Sequence, residues 1–235
     1  MLALLHTSPV HVPVFDALRD EDAPGLPLRH LVRPELLDRA REQGPEAVAE
    51  EVSGALAGAA REGARAVLCT CSTIGAVAEA AGAALGLPVL RVDRPMAAAA
   101  VAAGARITVL AALESTLGPT ADLITEEAER AGREVTVRTV LVPGAWERFE
   151  AGDTEGCLAA VAAAVDEVRD ADAIVLAQAS MAAAAERPRA AGRPAADGAT
   201  GGAAPVVLSS PRRGLRAAAA QSNASETSLS GLRTM

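Results

Sequence analysis

The chain has 235 residues, half of them hydrophobic, a formal net charge of −8, and Phe15, Trp146 and Phe149 as its aromatic side chains. That balance offers no basic face to displace phosphate counterions, which excludes nucleic acid as the partner class. All 22 basic residues are arginine, so chemistry on a lysine-linked pyridoxal phosphate is excluded, and three cysteines do not make a disulfide framework.

The chain opens with an apolar strand, Leu2–Leu5, followed by polar residues at His6, Thr7, Ser8 and His11. This opening lacks a basic n-region and soon reaches prolines, unlike a secretory signal. No apolar run has the length of a membrane span. A cytoplasmic protein with reduced thiols and no membrane partner is the expectation. A helical pattern covers Pro45–Arg61. Next come a strand at Ala66–Cys69 and an alanine-rich helix at Thr73–Leu85, stopped by Gly86-Leu87-Pro88. A strand at Val89–Val92 leads to Asp93-Arg94-Pro95, read as a crossover, and to a helix at Pro95–Ala103. The second half repeats the alternation: strand Ile107–Ala111, helix Thr120–Ala131 closed by Gly132, strand Val135–Val142, helix Thr154–Val168, strand Ala173–Ala177 and helix Ser180–Ala185. Trp146 and Phe149, at helical spacing, are read as a packing contact with the other lobe or with a partner; a homodimer fits that reading. The segment 187–204 is rich in Gly, Ala, Pro and Arg and reads as a flexible surface loop. A last strand at Val206–Leu208 precedes a polar, serine-rich tail, 222–235, expected to be disordered.

Strands separated by helices of ten or more residues predict an α/β fold with parallel sheets. "AVLCTCSTIGAVAEAAG" and "AIVLAQASMAAAAERPRAAG" share one layout of apolar strand, small polar residues and alanine helix. The echo predicts two pseudo-symmetric Rossmann-like lobes with an interlobe cleft at the carboxyl ends of the strands. The expected lobes are 1–93 with 205–221, and 94–186.

Cys71, Ser72 and Thr73 stand where a strand should end and a helix begin. Unpaired N–H groups at such a helix start hold carboxylates, and a thiol there is biased towards thiolate. The alternative is structural: a small buried hydrophobe at Cys71, with Ser72 or Thr73 capping the helix. Cys69 should lie within the strand, and Cys157 in the core face of a helix. No P-loop, dinucleotide glycine fingerprint or metal-ligand cluster is present in the sequence.

The segment "CTCSTIG", followed by "LPVLRVDRPMAAAAVAAGARITVLAALESTLGPTADLI" and later by "IVLAQASMAAAA" and "VVLSSPRRGLRAA", resembles the aspartate/glutamate/hydantoin racemase superfamily. The resemblance runs from "LALLHTSP" to "LRAA", apart from the loop and tail. It implies two α/β lobes, a small carboxylate substrate, and PLP-independent chemistry without cofactor or metal. Typical members use one cysteine from each lobe, on opposite faces of the substrate Cα. The first carries over to Cys71, with Ser72 and Thr73 at the substrate carboxylate. At the place of the second this chain has Gln178 or Ala179, and a glutamine can only hydrogen-bond. The resemblance therefore implies one-thiol chemistry of racemase, isomerase or decarboxylase type, with Gln178 as an oxyanion donor. The alternative is a non-catalytic member that binds a small acid or a protein partner. His6, Thr7 and Ser8 match substrate-binding polar residues after the first strand, and His30 lies in an "H-x-V" segment like the family's. Ser115 and Thr116 match a hydroxyl-bearing loop, and Ser180 begins the helix after the altered motif. Ser209 and Ser210 are read as caps before Pro211.

Overall fold

A computed structural model describes residues 1–187 and 204–232. Its first strand, β1 (Leu2–His6), is apolar on both faces, as a strand covered by helices on each side must be. It is followed by α1 (His11–Asp22), β2 (Leu28–Val32), α2 (Pro34–Gln43), a 3-10 turn at Pro45–Val48 and α3 (Ala49–Arg61). Then come β3 (Ala66–Cys69), α4 (Gly75–Leu85), β4 (Val89–Arg91) and α5 (Arg94–Ala103). The second half runs β5 (Arg106–Ala111), α6 (Leu117–Arg130), β6 (Thr136–Leu141), α7 (Ala145–Glu150), α8 (Thr154–Glu167) and β7 (Ala173–Leu176). A 3-10 stretch at Ala179–Glu186, β8 (Val206–Ser209) and α9 (Pro211–Leu232) complete the described chain.

The strands form two four-stranded sheets, ordered β2-β1-β3-β4 and β6-β5-β7-β8, and every pairing is parallel. The chain divides into two compact units, 1–95 with 210–235, and 96–209. In the first unit, alternation along β1 sends Leu2 and Leu4 to one face and Ala3 and Leu5 to the other. Leu2 and Leu4 pack with Phe15, Leu68, Leu90, Val92, Leu215 and Ala218 under α1 and α9. Ala3 and Leu5 pack with Val67, Cys69 and Ile74 against the apolar stripes of α2, α3 and α4. The second unit repeats the plan. Ile107, Val109 and Val175 pack with Leu123 and Ile124, while Leu110, Ile174 and Leu176 pack with Val161, Val165 and Met181 on the opposite face. Gly86 (φ 65°) and Gly132 (φ 62°) take left-handed conformations just past α4 and α6, which lets each helix stop cleanly.

Three expectations are corrected. The strand at Val206–Leu208, expected in the first lobe, pairs with β7 as the edge of the second sheet. Each sheet needs a fourth strand beside its third, and β8 is to β7 what β4 is to β3; only α9 returns to the first unit. The tail from residue 222, expected to be disordered, continues α9 as far as Leu232. Once Leu215 and Ala218 are docked, each further turn propagates without a new nucleation cost. Third, β2 and the helices α1 and α2 occupy the stretch between Leu5 and Pro45, for which no strand or helix range was expected. The expected loop 187–204 lies outside the described residues except for its ends, where Arg187 bonds both oxygens of Glu155 at 2.7 Å. Residues 233–235 also lie outside them. No described helix is long and apolar enough to cross a membrane.

Candidate active site

In an open parallel sheet the chain leaves opposite ways from two adjacent strands, and the carboxyl ends of that pair form the natural ligand crevice. In the first sheet that pair is β1 and β3. Their ends carry His6, Thr7 and Ser8 on one side and Cys69, Thr70 and Cys71 on the other. Thr70 donates its backbone N–H (2.9 Å) and its hydroxyl (3.2 Å) to Leu5 O, tying the two strand ends together. His6 Nδ1 lies 2.9 Å from Thr70 Oγ1. His6 Nε2 lies 2.8 Å from His30 Nδ1. His30 Nε2 lies 3.3 Å from Asp16 Oδ1. The two imidazoles stack with centroids 5.1 Å apart, and Phe15 covers His6 at 5.6 Å. His6 is fully buried. Burial first, then the neighbouring His30 and His11, lower its pKa to about 3, so it is neutral at physiological pH. Burial lowers His11 to about 4.

The three thiols differ in environment. Cys71 is 9% exposed, against 0% for Cys69 and 1% for Cys157. Cys69 Sγ points into the core and donates to Cys71 O at 3.6 Å. Burial, reinforced by Cys71, pushes its pKa far up and makes it a poor thiolate. Cys157 lies in the core under α8, and burial raises it as well. Cys71 begins the turn that leads into α4. That helix starts two residues later than expected, at Gly75 instead of Thr73. Its cap position is Ile74, which supplies no side-chain hydrogen bond, and Ser72 and Thr73 are buried beside it. The first N–H of α4, that of Gly75, donates to Ser72 O at 3.3 Å and closes the turn.

Beneath the turn lies a group not singled out from the sequence. Arg91, at the end of β4, gives Nε to Asp93 Oδ1 (2.7 Å) and Nη2 to Asp93 Oδ2 (2.8 Å). The same Nη2 lies 3.4 Å from Ser72 O. Both side chains are buried, at 3% and 0% exposure. Burial alone would lower the Arg91 pKa, but Asp93, its hydrogen bonds and Glu79 outweigh it and hold the group above its usual value. Glu79 on α4 accepts from the Arg91 backbone N–H (3.2 Å) and from Arg94 Nε (2.8 Å), and it also bonds Arg94 Nη2. One signal was legible: "VLRVD" puts opposite charges two residues apart in an apolar run, hence on one face.

In the second sheet the corresponding strands are β5 and β7. Gln178 follows β7, and its Oε1 accepts from the backbone N–H of Ala112 (2.6 Å) and Leu113 (3.2 Å). Its amide NH2 remains the donor end. Thr116 stands at the cap position of α6 without a side-chain cap bond, and Ser115 Oγ is buried without a partner among the described residues. Ser180 is half-buried in the 3-10 stretch beyond Gln178. Ser210 Oγ, before α9, is buried and likewise without a partner among the described residues. The structure thus gathers His6, His30, Thr70 and Cys69–Thr73 at one strand edge, and Ser115, Thr116, Gln178 and Ser180 around another.

Comparison with known proteins bears on this arrangement. The family model for the Asp/Glu/hydantoin racemases matches residues 13–205. No curated protein matches the chain significantly by sequence. Among solved structures, glutamate racemase isoform RacE1 from Bacillus anthracis superposes with a TM-score of 0.66 at 16% identity, covering 95% of this chain and 80% of that one. The aspartate racemase of Picrophilus torridus gives 0.61 at 14% identity, over 96% and 94% of the two chains. A cysteine mutant of arylmalonate decarboxylase, in its sulfate-associated form, gives 0.61 at 19% identity, over 94% and 93%. At these identities the structures share the fold.

Proposed function

The chain belongs to the Asp/Glu/hydantoin racemase family, and on that premise we propose that it performs cofactor-independent acid/base chemistry at the α-carbon of a small carboxylate, with Cys71 as the proton-transferring thiol. The observation that carries this reading is the placing of Cys71. It is the least buried of the three thiols, and it stands between the β1/β3 strand ends and the N-terminal N–H groups of α4. Ser72, Thr73 and those N–H groups bind the substrate carboxylate, which spreads the charge that develops when the α-carbon becomes carbanionic. His6 is neutral with both ring nitrogens engaged, so it orients Thr70 and the strand end, while Thr7 and Ser8 supply polar contacts. Within the second unit, Ser115, Thr116, Ser180 and the NH2 of Gln178 form a polar group of their own at the β5/β7 strand ends, suited to binding polar ligand atoms. Gln178 neither gives nor takes a proton at neutral pH, which favours a reaction needing one thiol. In a decarboxylation the bond to one carboxylate breaks, CO2 leaves, and the electron pair is held as an enediolate. Cys71 then delivers one proton to Cα.

The test is a screen of small amino acids, hydantoins and substituted malonates in deuterated water, repeated with each cysteine replaced by alanine. Cys71→Ala should lower turnover by about a hundredfold or more, the effect of a lost acid/base group. Cys69→Ala and Cys157→Ala should alter mainly stability. Full activity in Cys71→Ala would sink the thiol assignment, and deuterium entering Cα from both faces would require a second base. The glutamine after β7 also favours a second reading, binding of a small acid without turnover. Saturable binding with no turnover of any compound is its expected outcome.

A further inference from the structure

A buried ion pair adds little net stability over apolar residues of the same volume, so a pair beneath an apolar strand end calls for another explanation. Arg91 touches the Cys71 turn at two points. Its Nη2 reaches the Ser72 carbonyl at 3.4 Å. Its side chain also fills the space beside Gly75, where a Cβ would come within 2.9 Å of Nε and 3.0 Å of the Arg91 Cβ. Asp93 grips the guanidinium through both oxygens and fixes its plane. Glu79 holds α4 to the same strand through the Arg91 backbone N–H.

We propose that Arg91 is a positioning residue: oriented by Asp93, it fixes the Ser72 carbonyl and the close approach of Gly75, and thereby sets the placement of the Cys71–Thr73 turn. The inference deepens the assignment of Cys71 as the reacting thiol and rests on it for its catalytic meaning. The planar fork is what allows one side chain to hold two carboxylate oxygens while reaching a carbonyl on a third line. A lysine ammonium is a point donor on a flexible stem and lacks that geometry.

The experiment is site-resolved alkylation of the full chain by iodoacetamide, read by mass spectrometry. It compares the native protein with the double variant Arg91→Met/Asp93→Leu. Removing both partners at similar volume keeps the core filled, so the double variant should melt close to the native protein. Cys71 should then react about fivefold faster, the scale of one ordinary net hydrogen bond, as fits the long contact to Ser72 O. Cys157, buried in the other unit's core, should keep its rate and so reports global loosening, whereas Cys69, bonded to the Cys71 carbonyl, is not used as a control. An unchanged Cys71 rate in the folded double variant overturns the proposal, and so does equal acceleration of Cys71 and Cys157. If the double variant does not fold, Arg91→Lys takes its place; it keeps a cation opposite Asp93 and should still accelerate Cys71 selectively, while no selective change overturns the proposal. Turnover separates the two readings. Full activity in Cys71→Ala removes the catalytic role of the thiol but leaves the alkylation result standing, and an unchanged alkylation rate removes Arg91 but leaves Cys71.

Discussion

Replacing His6 by glutamine should flatten part of the dependence of stability on pH. Unfolded, an imidazole of this kind titrates near 6.5, whereas His6 in the fold titrates at about 3. Between those values the unfolded chain binds a proton that the folded chain refuses, so acidification favours unfolding. Above about pH 6.5 neither state binds it, and the contribution is constant; it is progressively lost as the pH falls towards 3. Each pH unit inside the window costs about 1.4 kcal/mol, so His6 alone should remove about 2 kcal/mol between about pH 7 and about pH 5. Its complete burial, with both ring nitrogens engaged, makes the full effect the appropriate estimate. The assay is urea denaturation followed by circular dichroism at about pH 7, 6 and 5. His11, held near 4 by burial, contributes a similar slope that remains in the variant, so the difference between native and His6→Gln isolates His6. Above about pH 6.5 the native protein should be the more stable, and the gap should narrow by about 2 kcal/mol at pH 5. A gap that stays constant across the range would show that the folded state accepts the proton, and the reasoning would fail.

Arg91→Met alone should cost about 3–5 kcal/mol in thermal or urea unfolding, because it strands the buried Asp93 carboxylate; the double variant should recover most of that loss. Gly214→Ala should cost about 1–3 kcal/mol, since a Cβ there would lie 2.6 Å from the Val92 carbonyl oxygen. Gly118→Ala, in a helix with nothing within 4 Å of the new atom, should instead stabilise by about 0.5–1 kcal/mol, and melting curves of the two variants should move in opposite directions. Gln178→Leu leaves the N–H groups of Ala112 and Leu113 without their acceptor and should lower stability by about 1–3 kcal/mol. Gln178→Glu keeps an acceptor oxygen and should lose less in the same assay.

The central strands β1, β3, β5 and β7 were legible because strands covered on both faces are continuous apolar runs bounded by small polar residues. The edge strand β2 was not. Its "LRHLV" carries Arg29 and His30, is mostly half-buried, and lacks either the alternation or the run that marks a strand. Helix α1 was hidden by Pro13 in its first turn, a position a helix tolerates but which reads as a break. The sheet to which β8 belongs was illegible for a different reason: a four-residue apolar strand carries no label for its partner, and only the repeated strand order supplies one. At the candidate site, the position of Cys71 followed from strand and helix boundaries alone. The His6–Thr70 bond and the reach of Arg91 to the Ser72 carbonyl did not, because both depend on which strands lie side by side.

The division of the chain has a consequence for its synthesis. Residues 96–209 form one uninterrupted stretch, so the second unit has all its strands and core helices once that stretch has left the ribosome. The first unit is split around it. Leu2, Leu4, Leu68 and Val92 are translated early, but their cover, Leu215 and Ala218 of α9, comes more than a hundred residues later. At synthesis rates of about 5–20 residues per second, that apolar face stays open for roughly 6–25 seconds. The half that carries Cys71 is thus begun first and closed last, and during that interval it is the part of the nascent chain that a chaperone has reason to hold.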